Sequence, residues 1–312
     1  MPALDLIVLG ETNLDLILYG LEEDLPIERE VLAKDFRMTL GGSSSILAHN
    51  FATLGCRVGF ITKVGGDPLG VLALERLHEA GVDLPPGVVN AQSQTGVTVV
   101  LHHGATRRIL TYPGIMGELT VAEIDRDYLR QAKHLHISSL FLQRGLHAGL
   151  PELCSELRAE GCTVSLDTND DPDDQWGGVL DRMLDVIDLL LPNDHEARRM
   201  TRCDDLEEAI DRLARRVPVV AVKQGRSGAM VRQGSQHSHV PAIPIAAVDT
   251  IGAGDSFNAG FLKGFLAGEP LPVCAAMGNV AAALSTQRPG GTEAFRDAGF
   301  RKAFLAQHIP RA

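Results

Sequence analysis

Several things are missing from this chain. No apolar run approaches the ~20 residues that a membrane-crossing helix needs, and the first residues pass into a strand-like segment without a basic leader or a cleavage site. Basic residues are outnumbered 29 to 40, leaving a net charge of −11, which argues against a nucleic-acid backbone as partner. The five cysteines, Cys56, Cys154, Cys162, Cys203 and Cys274, are odd in number and have no CxxC spacing. That pattern belongs to free thiols in a reducing compartment. The expectation is a soluble, cytoplasmic protein with no membrane or nucleic-acid partner. The easily read catalytic loops are absent too. There is no Gly-x-x-x-x-Gly-Lys-Ser/Thr, no Gly-x-Ser-x-Gly, and GETNLD stands after the first strand where a dinucleotide-binding turn would place GxGxxG. His134/His136 and His237/His239 have strand-like spacing but no third ligand, and read as core or surface histidines rather than a metal site.

What is present suits one large domain, residues 1–312: 45% of the residues are hydrophobic, enough for a substantial core. Leu6 to Leu9 reads as the first core strand. After it Glu11, Asn13 and Asp15 alternate with Thr12, Leu14 and Leu16, so an extended backbone puts the three polar side chains on one face. They either meet hydroxyls over a cleft or form a wet face. Gly41 and Gly42 precede Ser43, read as a helix cap, and a helix over Ile46 to Leu54. The turn at 63 to 70 opens a helix over Val71 to Ala80. Residues 96 to 112 read as a β-hairpin turning at Gly104. With parts of 12–40, the stretch 95–115 is expected to form a small β lid. Arg107 or Arg108 in it could reach an acidic group.

Strand-like runs at His134 to Ser138, Thr163 to Leu166, Val186 to Leu191 and Val217 to Val222 alternate with helical stretches. This rhythm predicts an α/β fold with a mostly parallel sheet covered by helices on both faces. Ligands of such sheets gather beyond the carboxyl ends of the strands. Asp167 with Asn169, Asn193 with Glu196, and Lys223 with Gly225 fall at three such ends. Helices are expected over Phe257 to Ala267, Val273 to Thr286 and Glu293 to Gln307.

The stretch VDTIGAGDSFNAG, 248 to 260, carries the sharpest signal. A turn of Gly252, Ala253 and Gly254 opens a helix whose first amides lack intrahelical acceptors and carry partial positive charge, an anion site with phosphate as the natural occupant. Asp255 beside it is either a capping residue or a base that takes a proton from a hydroxyl attacking the phosphate.

DTIGAGDSFNAGF at 249 to 261, together with GETNLD at 10, GGSSSILAHNFATLG at 41, KVGGDPLG at 63, NDHEA at 193 and KQGRSGA at 223, resembles the ribokinase-like, or phosphofructokinase B, family of sugar and nucleoside kinases. The resemblance covers nearly the whole chain. It implies a core of about nine strands, a β lid that often forms a dimer contact, here a homodimer, and transfer of a phosphoryl group from ATP with Mg²⁺ to a substrate alcohol. It makes Asp255 the base and the amides of Gly252, Ala253 and Gly254 the anion hole. Asn193 and Glu196 would help place Mg²⁺ through water. Lys223, Gly225, Gly228 and Asn279 fall where the family binds the nucleotide, though Thr is common in place of Lys223. Asn13, Asp15, Gly41, Gly42 and Ser43 fall where it holds sugar hydroxyls, with Arg107 a candidate for an acidic group. Asp249, with carbonyls of Ile251 and the 287–291 turn, matches a site for a monovalent cation such as K⁺.

Ser43, Ile46 and Gly145 depart from ribokinases, which argues against ribose. LDTNDDPDDQW at 166 to 176 is similar to fructokinases and 2-keto-3-deoxygluconate kinases but lacks their Arg. The reading is a sugar or sugar-acid kinase. The alternatives are a nucleoside kinase, for which the lid offers Tyr19, Phe36 and Tyr112 as stacking aromatics, and a non-catalytic sugar-binding or regulatory protein.

Overall fold

A computed structural model describes residues 3–103 and 106–308; the expected turn at Gly104 lies outside the described residues. The strands are β1 (Leu6–Leu9), β2 (Asn13–Tyr19), β3 (Asp35–Gly41), β4 (Val58–Ile61), β5 (Val64–Gly65), β6 (Val89–Asn90) and β7 (Gly96–His103). They continue as β8 (Thr106–Tyr112), β9 (His134–Ser138), β10 (Thr163–Asp167), β11 (Leu189–Leu190), β12 (Val219–Lys223), β13 (Ala229–Gln233) and β14 (Gln236–Val240).

Eight of them form one sheet in the order β14-β13-β12-β11-β10-β9-β1-β4, where about nine were expected. All neighbours from β12 through β4 run parallel, and β13 and β14 add an antiparallel edge. The alternation of the strands shows why both faces are covered. Leu6 and Val8 enter one core while Ile7 and Leu9 enter another, and Val219 and Ala221 divide from Val220 and Val222 in the same way. Strands buried on both faces are apolar over most of their length, as these two are as far as Val222.

On one face the helix Ala253–Leu266 packs against the helix Leu271–Ser285. A Cβ on Gly260 would lie 2.5 Å from the Met277 carbonyl, so only glycine permits that approach. The buried His134 and His136 satisfy their ring nitrogens on Thr163, Ser165 and Ser138, and burial pushes both pKa values down to about 3. They are neutral core residues.

The second sheet, β3-β2-β7-β8, stands beyond the end of the first. Its β2 and β7 are parallel neighbours, with β3 and β8 antiparallel at the edges. Several boundaries differ from expectation. The cap of the helix Ser43–Thr53 is Gly42 at φ +86°, with no side-chain cap, because the Ser43 hydroxyl is used elsewhere. The helix expected from Phe257 begins at Ala253. The helix expected over 293–307 is broken into Glu293–Arg296 and Ala298–His308. Asp297 lies between them in an extended conformation, its carboxylate accepting the Phe300 amide at 2.9 Å. An aspartate that bonds nearby backbone competes with helix continuation.

Candidate active site

The turn at 249–255 is held in shape by one buried carboxylate. Asp249 accepts from the Ile251 amide at 3.0 Å, the Gly290 amide at 3.0 Å and the Tyr19 hydroxyl at 2.8 Å, so β2 of the small sheet is tied to the turn. Gly252 then caps the following helix at φ +71°, and a Cβ there would stand 2.5 Å from the Gly291 Cα. Both the dihedral and the contact require glycine. Of the three amides expected to face an anion, that of Ala253 donates to the Thr250 carbonyl at 3.3 Å. Those of Gly252, Gly254 and Asp255 meet no acceptor among the described residues. Asp255 therefore contributes an amide that the sequence did not single out.

The Asp255 carboxylate is in the first turn of the helix but does not cap it. It accepts the Ser43 hydroxyl, and among the described residues no Lys or Arg pairs with it. Burial pushes its pKa up to about 6; the Ser43 hydrogen bond resists this and the nearby Asp167 charge adds to it. A carboxylate with that pKa is ionised at neutral pH and is a better proton acceptor than an ordinary aspartate.

Two cavities meet at this turn. The larger, about 880 Å³, is lined by Ile251, Gly252 and Asp255 on one side and by β2, β7 and β8 residues on the other. Glu11, Asn13 and Asp15 reach it together, as their alternation suggested. Glu11 is held by Ser44 at 2.7 Å and Ser139 at 2.8 Å, which makes it a pin between segments. Asn13 donates to Asp15 at 3.0 Å and Thr98 at 2.9 Å. Burial raises the Asp15 pKa to about 7, opposed by the Asn13 bond and reinforced by the charges of Asp255 and Asp249.

Gly42 and Ser43 line this cavity and Gly41 does not. A Cβ on Gly41 would lie 2.1 Å from Asp15 Oδ1, so that glycine makes room for the acid. Arg107 lines the cavity and reaches Thr250 at 3.2 Å, while Arg108 does not line it. Arg144 also lines it but is paired with Asp173 at 3.0 Å. Thr98, Thr111, Glu118, Ser139, Asn169 and Asp170 complete the polar lining. Asn169, expected at a strand end, lies just past β10 with a left-handed φ of +52°.

The smaller cavity, about 230 Å³, is lined by Lys223, Gly225, Arg226, Gly228 and Asn279, by Thr250, Ala253 and Gly254 of the turn, and by apolar Ile243, Ile245, Ala247, Phe257, Ala282 and Ala283. Asn279 supports its wall, donating to the Val240 and Pro241 carbonyls at 3.0 Å each. Asn193 and Glu196 line neither cavity. They form a closed capping box behind Lys223: the Glu196 amide donates to Asn193 at 2.8 Å and the Asn193 amide to Glu196 at 2.8 Å. Burial, and then the Asp167 charge, raise the Glu196 pKa to about 7. Among the described residues no three His, Cys, Asp or Glu side chains converge to hold a metal.

Nearly the whole chain matches a family model. The pfkB family carbohydrate kinase model aligns with residues 3–298. The chain belongs to the pfkB family of carbohydrate kinases. An uncharacterized sugar kinase of Archaeoglobus fulgidus is 31% identical to this kinase, over 77% of this chain and 95% of that one. A nucleoside kinase of Methanothermobacter thermautotrophicus is 29% identical over 97% of this chain and 96% of its own. Among solved structures, the Arabidopsis thaliana ribokinase complexed with ribose and ATP superposes with a TM-score of 0.79 at 24% identity, over 97% of this chain and 99% of that one. The fold is ribokinase-like, and the protein is a kinase of the sugar and nucleoside type.

Proposed function

We propose that this kinase transfers the γ-phosphoryl group of ATP to a hydroxyl of a neutral sugar. One observation carries the reading: a turn with open amides lies between a polar cavity and an apolar one, and Asp255 faces the polar side. The acceptor sits in the larger cavity with its hydroxyls on Asn13, Asp15 and Ser43. Its attacking oxygen lies against Asp255, which takes the proton as the new O–P bond forms. The bond from γ-phosphorus to the departing ADP breaks, and the amides of Gly252, Gly254 and Asp255 receive the charge on the phosphoryl oxygens. Positioning and charge stabilisation are most of what such a transfer requires.

The smaller cavity takes the nucleotide, its apolar wall suiting an adenine and Gly225 and Gly228 allowing close backbone approach. Mg²⁺ would supply positive charge to the phosphates when bound, and Asn193 and Glu196, closed on each other behind Lys223, would act on it only through water or Lys223. A monovalent cation, K⁺, suits Asp249, a buried carboxylate whose partners are hydrogen-bond donors rather than a cation. The five cysteines are all free thiols, which suits a cytoplasmic setting, and among the described residues no helix is long and apolar enough to cross a membrane.

A neutral acceptor is favoured over a sugar acid because Glu11, Asp15, Glu118, Asp170 and Asp255 outnumber Arg107 in the large cavity and Arg144 is already paired. The likeness to a nucleoside kinase supports a nucleoside as the second reading. Against it, no aromatic side chain lines the large cavity, and Tyr19 is engaged by His102 and Asp249. Phe36, Met38, Leu110 and Tyr112 expose apolar surface on the small sheet, and we assign that face to a homodimer contact. The deciding measurement is ADP release over a panel of neutral sugars, sugar acids and nucleosides. Turnover confined to neutral sugars is expected. Preference for a nucleoside would move the reading to the second, and no release with any acceptor would leave a binding protein.

A further inference from the structure

Lys223 ends β12 inside the protein: its side chain is 11% exposed and that of its partner Asp167 is 0% exposed. The ammonium stands 2.5 Å from Asp167 Oδ2, and Asn258 Nδ2 reaches the same oxygen at 2.5 Å. A buried ion pair is weak evidence for stability, because desolvation can exceed the attraction it gains. Its surroundings suggest another use. Lys223 Nζ lies 3.6 Å from the point a Cβ on Gly254 would occupy, so a small swing of the stem separates the pair from the open amides. Lys223 also lines the nucleotide-side cavity with Gly225 and Arg226. Burial works against its charge, but Asp167 and Glu196 more than offset this and raise its pKa. The side chain is thus a permanently charged group, one step from the place where the transferred phosphate would sit.

Resting on the kinase reading above, we propose that Lys223 is a mobile cation of the transfer. It pairs with Asp167 while the turn is free and moves to a γ-phosphoryl oxygen when ATP is bound, with Asp167 the positioning residue that stores it beside the turn. Lysine suits this task better than arginine, since a compact ammonium on a four-carbon stem changes partner without demanding a planar fork. Charge-assisted hydrogen bonds to phosphate are among the stronger ones available.

The idea predicts two substitutions of opposite sign. Lys223→Met removes the γ-phosphate contact. Asp167→Asn removes the competitor for the ammonium. Affinities of the full chain for ADP and for a non-hydrolysable ATP analogue, measured calorimetrically with Mg²⁺, read both. Lys223→Met is expected to cut the preference for the ATP analogue over ADP by about 10-fold, with ADP affinity changed less than about 3-fold. Asp167→Asn is expected to raise that preference several-fold. The double variant Lys223→Met with Asp167→Asn, which leaves no unpaired Asp167 charge, is expected to match Lys223→Met and covers the case in which the single variant does not fold.

A purely structural ion pair would move both nucleotides together, or move both variants in one direction, and either result overturns the proposal. A wild-type protein that binds neither nucleotide overturns the kinase reading itself. A wild type that binds both, with the preference intact in the lysine variants, overturns only the role of Lys223.

Discussion

The cavities on the two sides of the Gly252–Asp255 turn differ in the number and origin of the polar groups that line them. The acceptor side brings together Glu11, Asn13, Asp15, Thr98, Ser139, Asn169 and Asp170 from segments far apart in the chain. The nucleotide side is lined largely by one stretch from Lys223 to Thr286, much of it aliphatic. Polar groups that are buried and paired discriminate sharply, because a mismatched ligand leaves them without partners. An apolar wall discriminates by shape and tolerates small losses. The acceptor cavity should therefore hold the chemical selectivity of the enzyme, and the nucleotide cavity most of its tolerance.

The largest expected break in that contrast is at Asp255, the residue of the turn that faces the acceptor side. Asp255→Asn should lower turnover by at least ~10³ while ATP affinity stays near normal. Steady-state rates alongside calorimetric ATP binding check it, and near-normal turnover would remove the base assignment. The same residue sets a pH test in the wild type. With a pKa of about 6, the ionised base is lost as pH falls, so kcat/KM should drop by about tenfold between pH 6.5 and 5. A profile flat over that range would point to another base.

A smaller effect should separate the two sides. Asp15→Asn is expected to raise KM for the acceptor by about 10-fold and leave KM for ATP unchanged. Asn279→Ala, which releases the wall at Val240 and Pro241, should do the reverse, by about 3-fold to 10-fold. If either variant moves both constants together, the cavities are coupled and the contrast weakens. The smallest effect on catalysis concerns the outer face of the small sheet. Phe36→Glu should lower the sedimentation-equilibrium mass from dimer to monomer, with turnover changed by only a few-fold.

Much of this arrangement was legible from local chemistry. Leu6 to Leu9 and His134 to Ser138 are strands with the expected bounds, because short apolar or β-favouring runs bounded by turn residues have few other uses. The glycine turn and its helix were readable because positive φ and open amides are properties of a few adjacent residues. Other features were not legible. The Val186 to Leu191 run yields only two strand residues, Leu189–Leu190. The aliphatic Ile243 and Ile245 lie in an irregular stretch with no periodicity to reveal them. Ser43 looked like a cap and instead bonds Asp255, a contact across 212 positions that no local rule reports.

The chain's own order of residues was sufficient for the α/β rhythm, the glycine turn and the family, since each depends on neighbours within a few positions. Folding in three dimensions settled which polar groups face one another. Lys223 meets Asp167, Tyr19 ties the small sheet to Asp249, and Asp255 takes the Ser43 hydroxyl as its partner. Those outcomes depend on which strand ends lie side by side and on how far water is excluded between them, and neither quantity is a property of any short segment.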